Sequence, residues 1–197
     1  MSTSRTVALS FLLPVFVLAA CGGRDTTAGE SVVGPSAANM DSHPPPPIAT
    51  EQLTARHQFT DDVAIQVRVK PQGRPNNVVN LTDASNLAVL RFTIQPGVRF
   101  PWHTHPGPVI VAVAQGTLVF VYGDDCVQRT YPSGTAFADA GTSVHYAFNP
   151  TGGETVLVAT FLGAPAAPNP LTVPVAPAQA AALDAKCGLT AASAHTH

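Results

Sequence analysis

Charge is what this 197-residue sequence has least of. Lys, Arg, Asp and Glu make up 11% of it, less than half of the roughly 25% usual for a soluble domain. Ten basic against twelve acidic side chains leave a formal charge of −2. No strong field is available to steer the chain to nucleic acid, and none is expected as a partner. The apolar run near the N-terminus, Val7 to Ala20, falls short of the roughly 20 residues a bilayer span needs and is broken by Pro14. A spanning anchor is not expected. Nineteen prolines and an excess of alanine dilute the rest, so part of the length is not packed core. One domain of about 100 to 150 residues fits, and a two-domain enzyme does not.

That N-terminal run follows a single charge, Arg5, and ends Leu18-Ala19-Ala20-Cys21. The ending resembles the lipobox of bacterial lipoproteins, in which small residues precede a Cys that is acylated and becomes the mature N-terminus. The resemblance implies a signal peptide over residues 1–20, lipidation at Cys21 and an extracytoplasmic protein held at the bacterial cell membrane by its lipid anchor. An ordinary secretory signal is the alternative, and it too takes the chain out of the cytoplasm. Residues 21–55 then read as a disordered, Pro-rich tether. They are poor in large apolar side chains and include His43-Pro44-Pro45-Pro46-Pro47, which favours extended polyproline II. His43 is a solvated linker residue on this reading, not a metal ligand.

Only three cysteines occur. With Cys21 consumed by lipid, Cys126 and Cys187 remain as an even pair in an oxidising compartment, and a disulfide between them is expected. Two free buried thiols are the alternative. Neither Cys lies in a stretch that also supplies a base, so neither is read as catalytic.

From about residue 58 the pattern has period two. Val63, Ile65, Val67 and Val69 alternate with polar or small residues, and Ala88, Leu90, Phe92 and Ile94 alternate with polar ones save for Val89. Further β-rich runs follow at Val109 to Ala114, Thr117 to Tyr122, Val127 to Tyr131, Val144 to Phe148 and Thr155 to Leu162. Gly, Pro and Asn clusters separate them. Short strands at such spacing predict an all-β, antiparallel sandwich or barrel over residues 56–163. Residues 164–197 form an Ala/Pro-rich extension with a short helix over Pro177 to Cys187, Pro near its start and Gly188 past its end. His195 and His197 belong to a frayed tail.

Three histidines fall on or beside the strands of the folded region. Residues i and i+2 of a strand share a face, so His103 and His105 project together. His145, on a later strand, can complete a set of three neutral nitrogen ligands with room left for water or substrate. Arg99 shares the parity of His103 and is a candidate to pair with a substrate carboxylate, although a salt bridge at the rim is as good a reading. Asp139 can either hydrogen-bond a ligating imidazole or cap a turn. Phe92, Phe100 and Trp102 read as core or barrel-edge packing, Gln115 and Tyr146 as structural, and His57 as a solvated boundary residue.

The stretch Gly97-Val98-Arg99-Phe100-Pro101-Trp102-His103-Thr104-His105, running on to Gly116, resembles the first motif of the cupin superfamily: Gly, five residues, His-x-His, a Glu, and a closing Gly. Val109 stands where the family has its Glu. The segment from Gly134 resembles the second motif, with His145 and Asn149 at the family's positions, Ala140 in place of Pro, and Gly141 one residue early. The resemblance covers about residues 58 to 163. It implies a single-domain, antiparallel, jelly-roll-like β-barrel with a divalent metal ion, Zn or Fe, held by His103, His105 and His145. It is also compatible with a homodimer.

Three functional readings follow. The preferred one is a lipid-anchored extracytoplasmic barrel that binds a divalent metal and a small-molecule ligand beside it, without established turnover. The second is a three-His metal-dependent oxygenase, hydrolase or isomerase with Arg99 orienting substrate. The absent Glu and the lack of a second acid or base weigh against it. The third is a metal-free barrel serving as an interaction module.

Overall fold

The computed structural model describes residues 44–189. The signal segment, Cys21, most of the tether with His43, and the tail with His195 and His197 lie outside the described residues. Twelve strands occur in chain order: β1 Ile48–Gln58, β2 Ile65–Val69, β3 Asn77–Leu81, β4 Asn86–Ile94, β5 Arg99–Thr104, β6 Val109–Gln115, β7 Thr117–Tyr122, β8 Gln128–Pro132, β9 Ala136–Asp139, β10 His145–Phe148, β11 Thr155–Leu162 and β12 Val173–Pro174. Among the described residues there is one helix, α1, spanning Pro177–Cys187.

The strands form two five-stranded antiparallel sheets, ordered β1-β4-β11-β6-β9 and β12-β5-β10-β7-β8, with β2 and β3 as a separate hairpin. Between the sheets lies the main core, to which Ala88, Ile94, Val109, Val113, Leu118 and Phe161 contribute. The alternation legible in the sequence is the cause. On β11, Thr155, Leu157, Ala159 and Phe161 are buried while the intervening residues are half-buried, as a strand with one inward face requires. The all-β, jelly-roll-like barrel expected from the sequence is the architecture observed.

Two boundaries differ from expectation. Residues 48–55, read as the end of the tether, belong to β1, which pairs antiparallel with β4 from Ile48↔Ile94 to Gln58↔Asn86. The Pro-rich segment before it concealed the strand, since Thr50, Glu51 and Gln52 offer little apolar signal. Of the run at Val63–Val69, Ile65–Val69 form a strand, but one paired to β3 in the hairpin and not to either sheet. Arg74 fastens that hairpin: its guanidinium pairs with Asp124 and with Asp125 at 3.1 Å and lies 4.1 Å from the centre of the Tyr122 ring.

β7 is buried on both faces, from Leu118 to Tyr122. Its inner residues face the core. Its outer residues Val119 and Val121 join Trp102 and Tyr146 in a second cluster, covered by Leu183, Ala180 and Val175 of the C-terminal extension. The helix in that extension begins with Pro at its first turn and ends at Gly188, whose φ of 63° is the left-handed conformation that closes a helix without a Cβ penalty. Asp184 accepts from Trp102 Nε1 at 2.9 Å, and Lys186 donates to the Gly123 and Asp124 carbonyls at 2.8 and 3.0 Å. The expected disulfide joins Cys126, after β7, to Cys187 at the helix end, across a sequence separation of 61.

A loop of that length predicts a stabilisation of about 4 kcal/mol on the chain-entropy account. Urea unfolding of Cys187→Ser is expected to show a loss of that order, with α1 exchanging its amide hydrogens ahead of the barrel. Equal stability of the two proteins would show that α1 is held by packing alone.

Candidate metal centre

β5 and β10 lie side by side in one sheet, with His103 directly opposite His145. His105 follows one residue past the end of β5, and its backbone N–H donates to the Gly141 carbonyl at 2.9 Å. Two glycines make that approach possible. A Cβ on Gly107 would stand 2.2 Å from the Leu162 carbonyl oxygen, and one on Gly141, where φ is 87°, would stand 2.3 Å from the Gly107 oxygen. Any side chain at either position would push the backbones apart and carry His105 away from its partners. Asn149, fully buried, anchors the other end of β5: its amide donates to the Ile94, Gln95 and Gly153 carbonyls at 3.0, 3.2 and 2.7 Å.

The three imidazoles converge as the sequence predicted. One ring nitrogen from each lies within 4.8 Å of the others, and His103 and His145 are almost fully buried. What fixes their chemistry is the other nitrogen. His103 Nδ1 sits 2.6 Å from the Pro101 carbonyl oxygen, His145 Nδ1 2.9 Å from that of Ser143, and His105 Nδ1 2.9 Å from that of Leu171. A carbonyl oxygen can only accept, so each Nδ1 carries the proton and each neutral ring presents an Nε2 lone pair. His103 and His145 then hold their Nε2 atoms 3.1 Å apart, two acceptors face to face. Burial makes protonation an expensive remedy. It pushes the His145 imidazole down to about 3, with help from His103, and the His105 imidazole down to about 4, with help from His145 and His103; burial lowers His103 as well. A divalent cation shared by the three lone pairs removes the conflict, and the donor set fits one.

Val109 occupies the place of the absent Glu. It is buried and lines the cavity beside the histidines, so the substitution is not compensated there. The nearest carboxylate belongs to Asp139, opposite Val109 across the β6–β9 pair. Its Oδ2 accepts from the Gly141 N–H at 3.0 Å and lies 3.6 Å from His145 Nδ1, and its Oδ1 accepts from the Tyr122 hydroxyl at 3.2 Å. Asp139 therefore caps the turn, and its buried carboxyl stands behind His145. Burial raises its carboxyl pKa, against the pull of the nearby imidazoles, the Tyr122 hydroxyl and the Gly141 N–H.

Arg99 does not reach the cavity. Between His103 and Phe100, β5 advances three residues while β10 advances two, from His145 to Ala147. This bulge reverses the parity. Phe100 takes the inward place, and Arg99 turns outward to lie 5.6 Å from the Tyr146 ring centre and 3.7 Å from Asp184 on α1. The rim salt bridge is the reading that holds. Trp102 and Tyr146 pack beneath α1, whereas Phe92 and Phe100 line the cavity.

One contribution carried no sequence signal. Residues 163–176 run as a strap from β11 to α1, and β12 within it pairs with β5 at Thr104 and His103. The Leu171 carbonyl sets the His105 tautomer, and Thr172 lines the cavity. A backbone carbonyl leaves no trace in residue identity; only the expected disulfide, which obliges the chain to return to the barrel, pointed that way.

Residues 90–161 match the family described as the cupin domain. No curated protein matches the chain. Among solved structures, a cupin superfamily protein from Desulfitobacterium hafniense shares 12% identity over 56% of this chain and 83% of its own, with a TM-score of 0.36. KdgF from a Halomonas species shares 16% over 61% and 83%, at 0.41. The polyketide cyclase RemF from Streptomyces resistomycificus shares 13% over 64% and 80%, at 0.40.

The depressed imidazoles make a stability prediction for metal-free protein. Their folded-state values lie below the ordinary 6.5, so between about pH 6.5 and 4 the unfolded chain binds more protons. Stability is then complete above that window and falls with pH inside it. Urea midpoints measured in chelator are expected to fall from pH 7 to pH 4 more steeply for the wild type than for His105→Gln, by up to about 1.4 kcal/mol per pH unit. Asp139 acts in the opposite sense; loss of the His105 charge raises its carboxyl further in the variant, which adds to the difference between the two profiles. Parallel pH profiles would refute the assignment of buried, neutral rings.

Proposed function

We propose that the protein is a lipid-anchored, extracytoplasmic barrel that holds a divalent metal through Nε2 of His103, His105 and His145 and binds a small molecule beside it. One observation carries the reading: three separate carbonyls force all three rings into the same tautomer, with their lone pairs turned on one point. Three neutral ligands leave the ion its full charge and an open side, and such an ion acts as a Lewis acid toward whatever donor it binds. Zn(II) suits an oxidising compartment, where Fe(II) is harder to keep reduced. Binding is favoured over turnover because, among the described residues, the cavity wall carries no titratable group besides the ligating rings. The disulfide, the lipobox-like Leu18-Ala19-Ala20-Cys21 and the short N-terminal apolar run support a site of action outside the cytoplasm.

Elemental analysis of tag-free, oxidised protein should give close to one metal per chain, and almost none for the His103→Ala/His105→Ala double variant. Redox-active iron or copper would point to oxygen chemistry, and zinc to ligand capture or hydrolysis. Absence of metal from both proteins, even after reconstitution, would leave the barrel as an interaction module. In cell fractionation, Cys21→Ala should move the protein from the membrane fraction to the soluble one; retention at the membrane would overturn the anchor.

A further inference from the structure

The cavity above the three Nε2 atoms is almost entirely hydrocarbon. Five phenylalanines, Phe92, Phe100, Phe120, Phe137 and Phe161, surround it together with aliphatic side chains of β6, β7, β10 and β11. Apart from the histidines, the only polar residue on its wall is Thr172, which is exposed on the strap. The charged groups that might have faced it are all committed elsewhere. The β5 bulge turns Arg99 out toward Asp184, Asp139 lies behind His145 with the Tyr122 hydroxyl on it, and Val109 replaces the carboxylate the first motif would supply.

Apart from the exposed Thr172, a ligand in this space meets the metal and hydrocarbon everywhere else. A second polar group on the ligand would be buried without a hydrogen bond, at a cost that rules out polyhydroxylated and zwitterionic molecules. A divalent ion on three neutral rings favours a negatively charged donor. The cavity measures about 80 Å³, roughly half the 150 Å³ known to accommodate benzene in an apolar protein cavity, so the enclosed part of the ligand amounts to a few carbon atoms.

Resting on the metal reading above, we propose that the site takes a short-chain apolar monoanion, its single anionic head on the metal and its hydrocarbon body among the phenylalanines. Specificity lies in the wall that excludes polar substituents.

Straight-chain carboxylates test this in the full-length, Co(II)-loaded protein, with the visible absorption of the metal as the readout. From ethanoate to pentanoate, affinity is expected to rise by about fourfold per added CH2, and then to level off as the cavity fills. Pentanoate should bind roughly tenfold or more tightly than its near-isostere 4-hydroxybutanoate, whose terminal hydroxyl would be buried unpaired. Ala147→Leu, which fills the cavity from β10, should flatten the series; the wild-type series stands by itself if that variant folds poorly. Full Co(II) uptake with no dependence on chain length, or with 4-hydroxybutanoate binding as well as pentanoate, overturns this inference and leaves the metal site intact. Failure to take up Co(II) overturns both.

Discussion

Three hydrogen bonds from imidazole Nδ1 to backbone carbonyls govern the interior of this protein. A buried histidine can offer either ring nitrogen as a donor, and each choice builds a different site. The carbonyls of Pro101, Ser143 and Leu171 make the choice for all three rings and turn three lone pairs inward. Two of these carbonyls lie two residues before the histidines they hold, so β5 and the approach to β10 set those rings through their own course. The third comes from the C-terminal strap, and the site is finished only when a segment from outside the two motifs has docked.

Docking is itself secured several times over. α1 covers the outer face of β7 and β10, Asp184 receives the Trp102 indole N–H, and the Cys126–Cys187 bridge ties the helix to the loop after β7. That loop also carries Asp124 and Asp125, on which Arg74 fastens the β2–β3 hairpin, and Asp125 takes a second guanidinium from the buried Arg129 at 2.8 Å. Those two cations hold the Asp125 carboxyl down at about 2 in spite of burial, which pushes it upward. Extension, hairpin and barrel thus meet at one short stretch of chain.

Much of this was legible in the sequence. Period-two alternation exposed β2 and β4, a run of β-forming residues exposed β11, and the two His-containing motifs located all three imidazoles. Pro177 and Gly188 bounded the helix, and cysteine parity paired Cys126 with Cys187. The misses have physical reasons. β1 carries polar residues and follows a proline run, β3 and β9 are four or five residues long, and β12 has two. Such segments take their conformation from the strands beside them. Arg99 was misplaced because simple alternation has no means of seeing a bulge.

That bulge has a consequence for how the family of possible pockets on this scaffold can diversify. Because the extra residue in β5 is what places Phe100, and not Arg99, on the inner face with His103, the same residues paired with β10 in plain register would exchange an aromatic wall for a guanidinium without altering any ligand. The chemical character of the cavity is therefore stored in strand register as well as in side-chain identity, and changes that shift that register are the ones to which its selectivity is most exposed.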